Sequence, residues 1–218
     1  ISCSLVGSEM CIRDRYRNDV LKEKFKDTEI NFIVNEEYEN TNMVCSLMCA
    51  RSLMEAEDDI LISYGDIIYN KEVLGKILQS EENMSVIVDD GWYEYWSARC
   101  ENPLDDAETL MSDDNDYLTE IGQKTSDLNK VQSQYIGLMR FKGEGLKAVL
   151  DLSAEAKRRS EVGEALWRTE RTYAKMYMTD LLQGLIDEKH KLKAVHIQRG
   201  WFEIDDCDDL KVVESQLK

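Results

Sequence analysis

Apolar positions recur along the chain in two rhythms. Residues 17–26 (RNDVLKEKFK) place Val20, Leu21 and Phe25 at helical spacing, and residues 29–34 (EINFIV) follow as a strand. Thr41 or Asn42 is suited to cap a helix running to about Met54 through Val44, Leu47, Met48 and Leu53. The short run 60–64 (ILISY) reads as a strand buried on both faces. Asn70 caps a helix through Val73, Leu74, Ile77 and Leu78, and residues 84–88 (MSVIV) form the next strand. Residues 99–116 read as an acidic, irregular stretch. Beyond it, residues 117–122 and 133–141 (SQYIGLMRF) predict two strands, and a helix follows Gly145 through Leu146, Val149, Leu150 and Leu152. Residues 173–188 predict a long helix, 192–198 a strand and 208–217 a closing helix. The alternation of helix and strand in the first half predicts an α/β fold with a mostly parallel sheet and helices on both faces.

Composition narrows this picture. With 218 residues, 43% of them hydrophobic, and a single proline, the chain suits one globular domain without a linker. It has no apolar run long enough to cross a bilayer. The net charge of -17 argues against nucleic-acid binding, because such a surface repels phosphates. A nucleotide substrate stays compatible with it, since a metal ion reverses the local field. Six cysteines without a dense framework read as the reduced thiols of a cytoplasmic protein. Cys45 and Cys49 share a helix face but lack a second ligand pair, and they read as buried apolar residues.

The first residues stand apart. Residues 5–15 (LVGSEMCIRDR) resemble the translation of a transposase adapter used in DNA library preparation. They lack the basic start, apolar stretch and small-residue cleavage site of a signal peptide. Residues 1–15 are therefore expected to be an artefactual leader, with native sequence from residue 16 onward.

Two segments carry candidate chemistry. In Ser63-Tyr64-Gly65-Asp66 an apolar strand ends in a glycine and a carboxylate. Ligands of open α/β sheets bind outside the carboxyl ends of the strands, and a carboxylate there suits Mg²⁺. Capping of a turn by Asp66 is the alternative. In Gly200-Trp201-Phe202-Glu203-Ile204-Asp205-Asp206 a strand again runs into a glycine and then carboxylates. Capping of the last helix by Asp206 or Asp208 is compatible with a metal role for Asp205. Two acidic strand ends far apart in sequence are what a shared Mg²⁺ site requires.

The segments FIVNEEYENTNMVCSL, ILISYGDIIY, YIGLMRF, YMTDLLQGLI and GWFEIDDCDDL, in that order, resemble motifs of the sugar-phosphate and choline-phosphate nucleotidyltransferases. GWFEIDDCDDL is the most specific and resembles the choline-phosphate cytidylyltransferase branch. The resemblance spans residues 16–218. It implies a Rossmann-like, glycosyltransferase-A-like three-layer sandwich with a mixed, mostly parallel sheet. The implied reaction moves a nucleoside monophosphate, with CMP favoured, from a nucleoside triphosphate to a small phosphorylated acceptor. It further implies Mg²⁺ at Asp66 and Asp205, with Thr41, Asn42, Ser46 and Gly65 near the nucleotide. Lys124 would lie near the acceptor phosphate. The glycine-rich loop, Arg and Lys-Pro with which such families hold the triphosphate have no match here. The domain is thus expected to lack its phosphate-binding loop, and the chain as written to be weakly active and poorly folding. Gln134 stands where relatives often carry Glu.

Trp92, Tyr95 and Trp96 share a face if residues 92–99 (WYEYWSAR) are helical. With Asp89, Asp90, Asp105, Asp106 and Glu108 nearby, these rings suit a quaternary ammonium such as that of phosphocholine, or else form core. Arg99 is a candidate for the acceptor phosphate or for a neighbouring acid, and Asp180 for the same cleft. His190 reads as a surface residue, and His196 as a strand residue with no catalytic role. Two rivals share the pattern: a metal-dependent glycosyltransferase and a non-catalytic nucleotide-binding module.

Overall fold

The computed structural model describes residues 3–6, 10–14, 18–99 and 101–216. In chain order the elements are β1 (Cys3–Val6), β2 (Met10–Asp14), α1 (Asn18–Lys24), β3 (Asn31–Val34), α2 (Met43–Met48), α3 (Arg51–Met54) and β4 (Asp59–Tyr64). Then come β5 (Ile67–Tyr69), α4 (Lys71–Gln79), β6 (Met84–Asp89), α5 (Trp92–Arg99), β7 (Glu108–Ser112) and β8 (Leu118–Lys124). The last are β9 (Gln134–Lys142), α6 (Glu144–Glu161), α7 (Met178–Asp187), β10 (Lys193–Ile197), β11 (Trp201–Glu203) and α8 (Cys207–Gln216).

Seven strands form one sheet in the order β10-β6-β9-β4-β1-β2-β3. Alternate residues of its central strands feed opposite cores, as the two-residue repeat of a strand requires. Ile60, Ile62, Val86, Val88, Met139 and Phe141 face a core shared with α2, α3, α6 and α7. Leu61, Ile87 and Leu138 face a second core shared with α4 and α5. Helices therefore cover both faces, which is why ILISY and MSVIV are apolar at every position but Ser63 and Ser85.

The sheet is mixed, and the expectation of mostly parallel pairing is corrected. Among the described residues only β10–β6 and β2–β3 pair in parallel. β9 returns between β4 and β6 and pairs antiparallel with both, and β1 is antiparallel to β4 and β2. β1 and β2 fall inside the segment read as a leader; its residues 1–2, 7–9 and 15 lie outside the described residues. Two small antiparallel sheets, β5–β11 and β7–β8, complete the fold.

Three further expectations change. The 99–116 stretch contains β7, because Thr109 and Leu110 are buried and pair with β8 inside acidic surroundings that hide them in the sequence. The 173–188 helix starts only at Met178. Tyr173–Lys175 is a separate 3-10 turn, and extended Met176 and Tyr177 break the run. Cys49, expected to be buried, is exposed, because it lies past the end of α2, where the chain turns into α3.

Candidate active site

Asp66 stands two residues after the end of β4, with Gly65 between. Its position is set by two local features. The Tyr64 ring lies across β9 at Gly137, where φ is +85° and an added Cβ would stand 2.5 Å from the ring. Only glycine combines that conformation with that approach. The Tyr64 hydroxyl donates to Met43 Sδ at 3.9 Å, which ties the end of β4 to the start of α2. Beyond Asp66 the chain enters β5, which pairs with β11 in the register Ile67↔Glu203, Ile68↔Phe202, Tyr69↔Trp201. The Ile204 amide then donates to the Asp66 carbonyl at 2.8 Å. This ladder sets Asp205 beside Asp66 across 139 residues of sequence, counted from 66 to 205.

The electrostatics of the pair follow from this placement. Burial pushes the Asp66 carboxyl above its ordinary value, its own backbone amide opposes the rise, and the charge of Asp205 adds to it. Among the described residues, Asp66 Oδ1 is buried without a hydrogen-bond partner. Asp205 is more exposed, and its Oδ2 accepts from Arg99 Nη2 at 2.8 Å. Arg99 also donates to Glu203 Oε2 at 2.8 Å and to Asp209 Oδ2 at 3.2 Å. Burial opposes the Arg99 charge, but the Glu203 hydrogen bond and the surrounding carboxylates raise its pKa. Burial likewise pushes Glu203 up, against the Arg99 hydrogen bond, with Asp205 and Asp66 contributing. Glu203 is thus a third carboxylate of the site that sequence reasoning missed, although it lies within the GWFEIDD segment. Asp206 caps α8 by accepting from the Asp209 amide at 3.0 Å, which leaves Asp205 free of that duty.

The residues assigned to the nucleotide gather at the same end of the sheet. Asn42 caps α2, accepting from the Met43 amide at 2.9 Å. Thr41 Oγ1 and Ser46 Oγ accept from the buried Asn35 Nδ2 at 2.9 and 2.8 Å. Asn35, the first residue after β3, thereby organises the 35–46 loop, and the sequence analysis did not single it out.

Other assigned residues sit elsewhere. Trp92 and Trp96 are 3% and 5% exposed and belong to the second core, which corrects the picture of a ligand-facing aromatic face. Trp96 Nε1 donates to Asp106 Oδ2 at 2.9 Å. Tyr95 is the ring left at a cavity of about 360 Å³, lined also by Glu94, Arg99, Arg199, Phe202 and Glu203. Arg99 pairs with acids, as described. Asp180 is buried and caps α7, accepting from the Tyr177 amide at 2.8 Å and from Arg171 Nη1 at 3.1 Å. Lys124 lies opposite Glu108 in the β7–β8 ladder and donates to the Asp106 carbonyl at 3.2 Å. Gln134 donates through Nε2 to the Glu108 carbonyl at 2.7 Å and accepts from the Glu108 amide at 3.5 Å. An ionised glutamate has no donor with which to make the first of these bonds. His196 pairs with Asp90 at 2.7 Å.

The donor set fits a hard divalent cation. Mg²⁺ takes one or two protein carboxylates and leaves its other positions to water and phosphates. Asp66 and Asp205 offer carboxylate oxygens of that kind, and Oδ1 of Asp66 has no hydrogen-bond partner among the described residues. Among the described residues no group of three or more His, Cys, Asp or Glu side chains forms a protein-only metal cage. A site completed by substrate oxygens is consistent with that.

The fold has solved relatives. It superposes on the inositol-1-phosphate CTP transferase from T. maritima with a TM-score of 0.64, over 92% of this chain and 72% of that one, at 18% identity. It superposes on the CTP:phosphocholine cytidylyltransferase of Streptococcus pneumoniae with a TM-score of 0.57, over 92% and 73%, at 15% identity. No family model matches the chain. The mixed sheet with helices on both faces is thus a fold that this chain shares with both proteins. In sequence the chain is 36% identical to the CTP:phosphoglutamine cytidylyltransferase of Campylobacter jejuni over 210 residues, 94% of this chain and 80% of that protein. The chain belongs to the cytidylyltransferase family, and it is a nucleotidyltransferase.

Proposed function

We propose that this protein transfers CMP from CTP to a phosphorylated acceptor and releases pyrophosphate, with Mg²⁺ held by Asp66 and Asp205. What supports the metal reading is the β5–β11 ladder, which leads the chain to Asp205 on the side of Asp66, together with a buried Asp66 Oδ1 that has no partner among the described residues. The family supports the reaction class. The Rossmann-like three-layer class belongs to the same reading.

An acceptor phosphate oxygen attacks the α-phosphorus of CTP, one P–O bond forms, the bond to the β-phosphate breaks and pyrophosphate departs. The attacking phosphate is already an anion, so no strong general base is needed. The task is to bring two anions together and to neutralise the leaving charge. Bound Mg²⁺ supplies Lewis-acid neutralisation of phosphate charge. Thr41, Asn42, Ser46 and Gly65 shape the nucleotide side in this reading. Lys124 serves the acceptor side as a fixed positive charge.

The acceptor named for the Campylobacter jejuni relative is phosphoglutamine, which makes it the first to test; phosphocholine and sugar phosphates follow. The test is ³¹P NMR of a mixture with CTP, Mg²⁺ and each acceptor in turn. The expected products are a cytidine diphosphate-linked acceptor and pyrophosphate, with formation stopped by EDTA. Release of a nucleoside diphosphate from a nucleotide-sugar, with no pyrophosphate, would instead establish a glycosyltransferase.

A further inference from the structure

We propose that Asp89 is the positioning residue for the metal-binding carboxylates, tying the end of β6 to the 199–201 turn so that β11 delivers Asp205 to Asp66. The inference rests on the Mg²⁺ reading above and adds a residue to it.

Asp89 is the last residue of β6 and is fully buried. Four donors converge on its carboxylate. The Gly91 and Arg199 amides reach Oδ1, each at 2.9 Å. Arg199 Nη1 and Trp201 Nε1 reach Oδ2 at 2.6 and 2.8 Å. Two of the four come from Arg199 in the turn between β10 and β11, and a third from Trp201, the first residue of β11. That turn is conformationally demanding, with φ of +61° at Arg199 and +94° at Gly200, and a non-glycine residue holds such a conformation only where its surroundings enforce it. Asp89 provides that enforcement by gripping both the amide and the guanidinium of Arg199. The Arg199 guanidinium is itself held 3.7 Å from the Tyr95 ring centre.

The consequence lies two to four residues further on. Trp201, 1% exposed, opens β11 opposite Tyr69, and Glu203 closes it opposite Ile67. A shift of the turn therefore moves Asp205 relative to Asp66. A buried charge pair seldom improves stability over apolar packing of the same volume. What a carboxylate adds here is direction, because its two oxygens fix two backbone amides, a guanidinium and an indole at once.

The test uses Mn²⁺ in place of Mg²⁺, with binding read from loss of the free-ion electron paramagnetic resonance signal. Asp89→Asn keeps the shape but replaces an acceptor with a donor, and Trp201→Phe removes one donor and keeps the ring. Far-UV circular dichroism and a cooperative thermal transition report folding. Asp66→Asn and Asp205→Asn serve as references. The expected result is an Asp89→Asn protein that stays folded and binds Mn²⁺ about tenfold or more weakly, as outlying partners of metal ligands do when removed. Trp201→Phe shifts the same way by less, and it decides the matter alone if Asp89→Asn does not fold. A purely structural Asp89 would lower the unfolding temperature and leave Mn²⁺ affinity in place. If the Asp66 and Asp205 variants lose binding while folded Asp89→Asn and Trp201→Phe keep it, the positioning role is overturned and the metal site stands. If the Asp66 and Asp205 variants bind as the unaltered protein does, the metal reading falls and this inference with it.

Discussion

Asp66 Oδ1 is a buried carboxylate oxygen with no donor among the described residues. Leaving such an atom unsatisfied costs about 1–3 kcal/mol, so its retention points to a use. If Asp66 only capped a turn, Asp66→Asn would lower stability and spare activity. The expected outcome is the reverse: thermal stability within error of the unaltered protein and Mg²⁺-dependent pyrophosphate release reduced about 10²–10³-fold. Glu108 makes a separate point about charge. Burial raises its carboxyl above the ordinary value of 4.5, against the charge of Lys124. The fold therefore favours the protonated form. That favour is complete below pH 4.5 and is lost as pH rises through the raised value. Urea unfolding of Glu108→Gln across the pH range should accordingly show the variant gaining stability relative to the unaltered protein on going from pH 4 to pH 7. Trp92 belongs to the core. Trp92→Ala should cost about 3–5 kcal/mol in denaturant unfolding, the range for large aromatic deletions in a core.

At the level of elements, the β5–β11 ribbon is the structural reason for the site. Its strands are three residues each, IIY and WFE, and neither has enough alternation to be read as a strand in advance. The long runs were legible because burial on both faces demands consecutive apolar residues, as in residues 60–62 of β4 and 86–88 of β6. The carboxylates at strand ends were legible for the same reason, since a glycine and an acid interrupt the run. Their partners were not. Asp89 meets Arg199 across 110 residues and Arg99 meets Asp205 across 106, and no local pattern marks such pairs. The rings of α5 were legible as a helical face, but sequence spacing does not say whether that face meets a ligand or a core. Gly200 tests the ribbon itself. An added Cβ would sit 2.9 Å from the Asn70 amide nitrogen, in a backbone conformation that L residues rarely adopt. Gly200→Ala should lose about 1–3 kcal/mol of stability. It should also reduce transfer although Asp66 and Asp205 are both present, a loss read by comparing rates well below the unfolding temperature.

Across the whole molecule, the alternation of helix and strand identified the α/β class but not the order of the strands. β9 inserts antiparallel between β4 and β6, a long-range choice that the sequence pattern does not encode. The resulting sheet brings the ends of β3, β4 and the β10–β11 connection to one edge, where the nucleotide-side residues and the two aspartates gather. The acidity of the chain, with a net charge of -17, makes a divalent cation the natural bridge to an anionic substrate. On the reading proposed above, one metal held by two aspartates distant in sequence drives CMP transfer. Its most direct test is pyrophosphate release from CTP in the presence of Mg²⁺ and phosphoglutamine, followed in the unaltered protein and in Asp66→Asn and Asp205→Asn side by side. The expected result is release that requires both Mg²⁺ and the acceptor and falls about 10²–10³-fold in each variant. Equal rates in all three proteins, or no pyrophosphate with phosphoglutamine, phosphocholine or any sugar phosphate, would contradict it.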